Sequence, residues 1–321
     1  MHLGDIEFSG QVVLAPMAGV TDYAFRTICA RLGAAVTVTE MVSSRALVYQ
    51  DRKSVGLLRK NSDSVCGAQI FGNDPQVMAD AAELALAHSG CDFIDINMGC
   101  PMPKIAGNGD GCALMQDPKL AGQIVQAVVD RVKVPVTVKM RMGWDKGHIN
   151  AVELAQTVQD HGASAVAVHG RTRAMLYSGL ADWDIIASVK RAVQIPVVAN
   201  GDIISAEAAV RCLNRCGADL VMVGRGVFGD PWVLQQIDAA LSGRPIPERP
   251  PLSERVDTAM EQFALAQEDK GEHIACLEAR KHFAWYLRGV PYAGYYKEKI
   301  SHISTMEDVA TIAVGIKKDL R

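Results

Sequence analysis

Through the first two-thirds of the chain, short runs rich in Val, Ile, Ala and Met alternate with longer amphipathic segments. The apolar runs fall at residues 12–17, 36–41, 65–71, 93–97, 134–140, 165–169, 196–199 and 220–223. Their composition predicts strands buried on both faces. Helical segments are expected at 23–32, 75–88, 118–132, 151–160, 183–193, 206–216 and 231–241. Thr21 or Asp22 can cap the first of these. Asp74-Pro75 and Asp117-Pro118 place a capping carboxylate before a proline at the first helical position, a strong start signal. The polar tract 42–60 reads as loop plus helix.

Eight strand–helix units in a row predict an α/β fold, a closed parallel (β/α)8 TIM barrel, over residues 1–243. The rival is a doubly wound open sheet. Its G-x-G-x-x-G turn is absent after the first strand, where the chain reads Ala15-Pro16-Met17-Ala18-Gly19. Residues 244–251 (Arg244-Pro245-Ile246-Pro247-Glu248-Arg249-Pro250-Pro251) form a Pro-rich linker that cannot continue a helix. Beyond it, segments at 252–270, 273–288, 295–302 and 306–318 predict a small all-helical C-terminal domain over residues 252–321.

Composition narrows the picture by exclusion. The net charge of −3 gives no bulk signal for nucleic acid or membrane. No apolar run is long enough to span a bilayer, and the start lacks a basic-then-apolar leader, so a cytoplasmic protein is expected. The eight cysteines are scattered, with no C-x-x-C pair and no histidines completing a zinc pattern. No metal is expected, and free thiols are the natural reading.

In this barrel type, chemistry gathers at the C-terminal strand ends. The pattern puts Gln69 there, then Asn97 and Cys100, Lys139 and Arg141, His169 and Arg171, Asn200-Gly201-Asp202, and Gly224-Arg225-Gly226. Glycine turns after strands seven and eight suit a phosphate, with Arg225 adding charge, though plain tight turns would look the same. Lys139 reads three ways: a buried partner of Asp95, a Schiff-base lysine, or a cation beside an electron-rich flavin edge. His169, between candidate cations and Gly170, suits an anion site; a core imidazole is the alternative. Free cysteines are usually small buried hydrophobes. Cys100 differs because Gly99 and Pro101 frame it at the barrel mouth.

Several stretches then read together: Leu14-Ala15-Pro16-Met17-Ala18-Gly19-Val20-Thr21-Asp22, Thr39-Glu40-Met41, Gln69-Ile70-Phe71-Gly72, and Asp95-Ile96-Asn97-Met98-Gly99-Cys100-Pro101. Val138-Lys139-Met140-Arg141, His169-Gly170-Arg171-Thr172, Asn200-Gly201-Asp202, Gly224-Arg225 and Ala279-Arg280-Lys281-His282 complete the set. In this order, over nearly the whole chain, they resemble the tRNA-dihydrouridine synthase family, most closely its bacterial B-type branch.

The resemblance implies an FMN-dependent enzyme that uses NADPH, with NADH possible, to reduce uridine C5–C6 in tRNA. Carried over, Pro16, Met17 and Ala18 pass the flavin ring, and Gln69 and Lys139 bond its polar edge. His169, Asn200, Gly201, Asp202, Gly224 and Arg225 hold its phosphate arm. Asn97 and Arg141 meet the uracil, with Arg171 also on the substrate side. Hydride reaches C6 from flavin N5, and Cys100 protonates C5. The thiol must be neutral for this, and a free cysteine's pKa of about 8.5 suits it, although Lys139 and Arg141 favour the thiolate.

One stretch departs from the family's usual basic pair after the Cys-Pro step. Here the loop reads Met102-Pro103-Lys104-Ile105-Ala106-Gly107-Asn108-Gly109-Asp110-Gly111. From Arg244 onward, basic and acidic residues balance at 12 each, so any RNA footprint is local. Arg280, Lys281 and Arg288 are the expected phosphate contacts, on a helix that by itself reads as an amphipathic core helix. A base reaching a barrel mouth must leave its stack. The alternative function is a flavin oxidoreductase of free pyrimidines, similar to dihydroorotate dehydrogenase. It gives the helical segment no role.

Overall fold

The structure is a computed structural model and describes residues 1–320. Eight parallel strands form the barrel: β1 (Val12–Leu14), β2 (Val36–Val38), β3 (Val65–Phe71), β4 (Phe93–Met98), β5 (Val136–Gly143), β6 (Ala165–Thr172), β7 (Val197–Asn200) and β8 (Leu220–Val223). Each pairs with its neighbours in sequence. β8 returns to β1, and β2 pairs with β3, which closes the ring. The predicted barrel is therefore the observed one.

Alternation along each strand divides the side chains between two layers. On β4, Ile94, Ile96 and Met98 pack outward against the helices, while Phe93 joins the barrel interior. Gly67 on β3 makes room for that ring: a Cβ there would lie 2.3 Å from Phe93 Cε2. Interior residues toward the strands' C-terminal ends are polar, and Gln69, Asp95, Asn97, His169 and Asn200 are all buried. Apolar packing below and polar side chains above is the division that a mouth-facing site requires.

Several elements were not legible in advance. A hairpin of two-residue strands, His2–Leu3 and Ile6–Glu7, brings Leu3 into the interior cluster. Strands that short carry no readable alternation. The tract 42–60 resolves into a two-residue strand, Val42–Ser43, which extends the pairing of β3, and two helical turns, Ser44–Val48 and Arg52–Gly56. β1 ends at Leu14 rather than at residue 17, since Pro16 lacks an N–H and Gly19 turns the chain at φ +70°.

Capping follows the predicted chemistry. The side chains of Asp22, Asp74 and Asp117 each accept a backbone N–H at the start of the helices Tyr23–Arg31, Pro75–Ser89 and Pro118–Arg131. After the barrel come the helices Leu252–Lys270, Glu272–Tyr286, Gly294–Ser301 and Met306–Asp319. They build a second core around Phe263, Phe283, Tyr286, Ile300 and Ile316. The segment before them is pinned to the barrel: Arg249 donates to Gly229 O at 3.0 Å and pairs with Asp230 at 3.1 Å. Trp285 stacks on Phe228 at 4.2 Å, joining the two cores. No helix among the described residues is long and apolar enough to cross a membrane.

Candidate active site

At the mouth, a hydrogen-bonded relay starts from Asp95, which accepts Thr137 Oγ1–H at 2.5 Å and a Gln69 Nε2–H at 2.6 Å. An ionised carboxylate only accepts, so it turns the Gln69 nitrogen toward itself and the Gln69 oxygen away. That oxygen accepts Asn97 Nδ2–H at 2.8 Å. Asn97 Oδ1 then accepts the backbone N–H of Gly99 at 3.1 Å and of Cys100 at 2.9 Å. One buried charge thus sets the polarity of a chain that ends on the cysteine turn. Sequence reading treated Asp95 only as a partner for Lys139 and missed Thr137. Both lie two residues before a singled-out side chain on the same strand face, which is the signal that could have found them.

Burial pushes the Asp95 carboxyl up to about 6, against the hydrogen bonds from Thr137 and Gln69 and the charge of Lys139. In the unfolded chain it titrates near about 4. Between these values the folded state holds the extra proton, so the carboxyl's contribution to stability falls as pH rises from about 4 to about 6, by up to about 3 kcal/mol. Asp95→Asn removes this slope. Urea unfolding will show the variant gaining on the wild type across that window, and a pH-independent difference would contradict the buried-carboxyl account.

Cys100 is partly exposed, whereas the chain's other cysteines are buried. Its turn is held on every side. Gly111 packs against it so closely that a Cβ there would lie 3.2 Å from Cys100 Cβ. Arg141 donates to Gly99 O at 2.9 Å, Thr172 O at 2.9 Å and Leu176 O at 2.8 Å, tying the cysteine turn to the loop after β6. Burial raises the Cys100 thiol pKa and outweighs the opposing pull of Arg141 and Lys139.

The neighbouring part of the mouth, from β5 round to β8, is cationic. Lys139 makes no ion pair with Asp95; its ammonium meets Asn200 Oδ1 at 3.3 Å, and burial with Arg141 nearby lowers its pKa to about 8. Asn200 is oriented by donating to Met222 O at 2.8 Å. Burial first, then Lys139, Arg141, Arg171 and Arg225, push His169 down to about 2, so the imidazole is neutral. The carboxylate of Asp202 is the acidic partner there, bonded by Arg171 Nη2 at 2.7 and 2.9 Å and by the N–H of Ala181 at 2.7 Å. Arg225 is 3.9 Å away from it. Positive charge therefore exceeds negative at this spot, which suits an anion.

Gly201 lets its turn pack close against Ala181 and His169: a Cβ there would lie 2.6 Å from Ala181 Cβ and 3.0 Å from the imidazole Cδ2. A Cβ on Gly224 would meet nothing nearer than 3.8 Å, and Met17 Sδ is one of the two atoms at that distance. Pro16, Met17 and Ala18 thus turn past the β8 end, where Met17 O accepts the N–H of Val20 and of Thr21. Arg171, expected on the substrate side, is 2% exposed and engages Ser178 O, Gly179 O and Asp202, so it braces the turn from behind. Tyr177, not singled out in the sequence, lies under Arg225 at 4.7 Å and Arg141 at 5.7 Å.

The three basic residues of the C-terminal segment take separate places. Arg280 Nε donates to Ile303 O at 2.8 Å, Lys281 Nζ reaches Gly19 O on the barrel, and Arg288 is exposed just beyond the helix end. Their aromatic neighbours Phe283 and Tyr286 are core residues. Within the departing loop, Pro103–Ala106 forms one helical turn that carries an exposed Lys104. No group of His, Cys, Asp and Glu suited to a metal occurs among the described residues.

Comparison with known proteins agrees with this assembly. The dihydrouridine synthase family model matches residues 13–319. A probable tRNA-dihydrouridine synthase of Rickettsia conorii is 43% identical over 94% of this chain and 91% of its own. The tRNA-dihydrouridine synthase B of Vibrio vulnificus is 41% identical over 94% of each. Among solved structures, histamine dehydrogenase from Rhizobium sp. 4-9 superposes with TM-score 0.59 at 14% identity, covering 83% of this chain and 50% of that one. At that identity the likeness concerns the barrel fold alone. Motifs, barrel and relatives converge, and the chain belongs to the dihydrouridine synthase family.

Proposed function

We propose that this protein reduces the C5–C6 bond of uridine in tRNA to 5,6-dihydrouridine, with FMN as cofactor and NADPH, or NADH, as electron donor. The observation that carries the reading is a partly exposed thiol on a turn held by Asn97 and Arg141, in the same barrel mouth as Lys139, His169 and Arg225. The mouth fits FMN by its own chemistry. Gly224 opens the backbone of its turn to a phosphate, Gly201 brings the neighbouring turn close to His169, and the excess of Lys139, Arg171 and Arg225 over Asp202 supplies charge. His169 and Asn200 line the same place, and Asp202 contributes through its N–H while its carboxylate is spent on Arg171. Lys139 and Gln69 have N–H groups left for the polar edge of a ring, and Pro16, Met17 and Ala18 pass its face.

When bound, FMN supplies the hydride that uracil C6 accepts. Negative charge then develops at C5 and O4 of the uracil. Cys100 Sγ–H protonates C5, which requires the thiol to be neutral before the step. Arg141 and Asn97 orient the base, and Arg141 adds positive charge near the developing oxyanion. Arg288, Lys104 and Arg280 are the proposed phosphate contacts outside the mouth, and the target base is flipped out of its stack.

The test uses the reduced protein without oxygen. Unmodified tRNA will reoxidise it promptly, and free uridine or orotate will not. Reoxidation by the free pyrimidine but not by tRNA would move the protein to the small-molecule alternative. A protein that takes up no FMN would overturn both.

A further inference from the structure

Residue 19 is held from two directions by charged side chains that the reaction does not use. Its N–H donates to Glu40 Oε1, and its carbonyl accepts from Lys281 Nζ. Each charge matches the peptide group it meets: the carboxylate takes the donor and the ammonium takes the acceptor. Charge-assisted bonds of this kind are the stronger ones. Glu40 belongs to the barrel and is 5% exposed. Lys281 belongs to the helix Glu272–Tyr286 and lies 5.6 Å from the Trp285 ring. Trp285 is itself stacked on Phe228, just past β8. Gly19 ends the turn Pro16–Ala18, whose Met17 faces Gly224. A left-handed φ of +70° at Gly19 gives the turn little intrinsic preference of its own.

We infer that Glu40 and Lys281 are positioning residues that clamp Gly19 between barrel and helical bundle, holding the Pro16–Ala18 turn against the β8 end where the cofactor ring binds. The ring's place rests on the function proposed above; the clamp itself does not. Lys281 then acts on the cofactor turn, and not on an RNA phosphate as its sequence context suggested. The helical bundle becomes part of the cofactor site.

The experiment compares full-length wild type with Lys281→Met, Lys281→Arg and Arg288→Met. Amide exchange over residues 16–21 is measured with no cofactor added, followed by FMN affinity, the visible circular dichroism of bound flavin, and the salt dependence of tRNA binding. Lys281→Met will speed exchange of that segment and weaken FMN binding, each about tenfold, the size of one charge-assisted hydrogen bond. It will leave the salt slope unchanged, and Lys281→Arg will restore both properties. Arg288→Met will show the reverse, a slope reduced by about one with exchange unaltered. Unchanged exchange at 16–21 in Lys281→Met overturns the clamp, whatever the slope. If wild type takes up no FMN, the functional proposal fails, while the exchange result still decides the clamp. Glu40→Ala gives the same signature from the barrel side; should it not fold, the half-buried Lys281 carries the test.

Discussion

Cys100→Ala will reduce uridine in tRNA about 10²- to 10⁴-fold more slowly than the wild type, the range general-acid catalysis supplies. FMN content and the rate of reduction by NADPH will stay within about twofold, since the thiol takes no part in the electron-donating half of the reaction. The asymmetry follows from the geometry. The thiol lies at the end of the Asp95–Gln69–Asn97 relay, and the relay grips the backbone N–H of Cys100, so removing Sγ leaves the turn in place. Stopped-flow absorbance separates the two half-reactions. Equal slowing of both would mean that Cys100 acts on the cofactor and does not protonate the base.

Arg141→Lys will lower kcat/KM for tRNA about 10²-fold despite keeping the charge. Arg141 spans three carbonyls, that of Gly99 on the cysteine turn, that of Thr172 at the end of β6 and that of Leu176 on the loop after it. An ammonium is a point donor and cannot reproduce that fork. Small misplacement of a reacting group by itself costs rate on this scale. The loss will fall mainly on kcat, with FMN affinity little changed, because the donors of Arg141 go to carbonyls of the cysteine turn and the β6 end and to none of the residues proposed to hold the phosphate arm. A loss confined to KM would show that Arg141 only binds substrate and does not hold the cysteine turn.

How much of this was readable in advance differs by level. The barrel was readable because strands buried on both faces and helices with Asp-Pro starts leave strong local signals. That Gln69, Asn97, Lys139, His169 and Asn200 gather at the barrel mouth was readable too, since they stand at strand ends, where a period of two aims them inward. Its internal wiring was not. Nothing in the order of residues says that Asp95 bonds Gln69 rather than Lys139, that Arg171 spends its donors on Asp202, or that Lys281 crosses to Gly19. Those contacts join residues distant in sequence and depend on barrel closure and on where the bundle docks. The direction in which the Cys100 thiol shifts was equally hidden, because it turns on the balance between burial and two cations. Even with the structure, the lowered pKa of Lys139 would also serve a Schiff base. What sets that reading aside is that it leaves Cys100 and Gln69 without work.

The most direct measurement is a single turnover of the NADPH-reduced, FMN-loaded protein on unmodified tRNA, followed by nuclease digestion and mass spectrometry of the nucleosides. The account predicts a uridine heavier by two hydrogens, formed by the wild type and nearly absent with Cys100→Ala in the same time. No change in any tRNA nucleoside, or product formed as fast by Cys100→Ala as by the wild type, would contradict it.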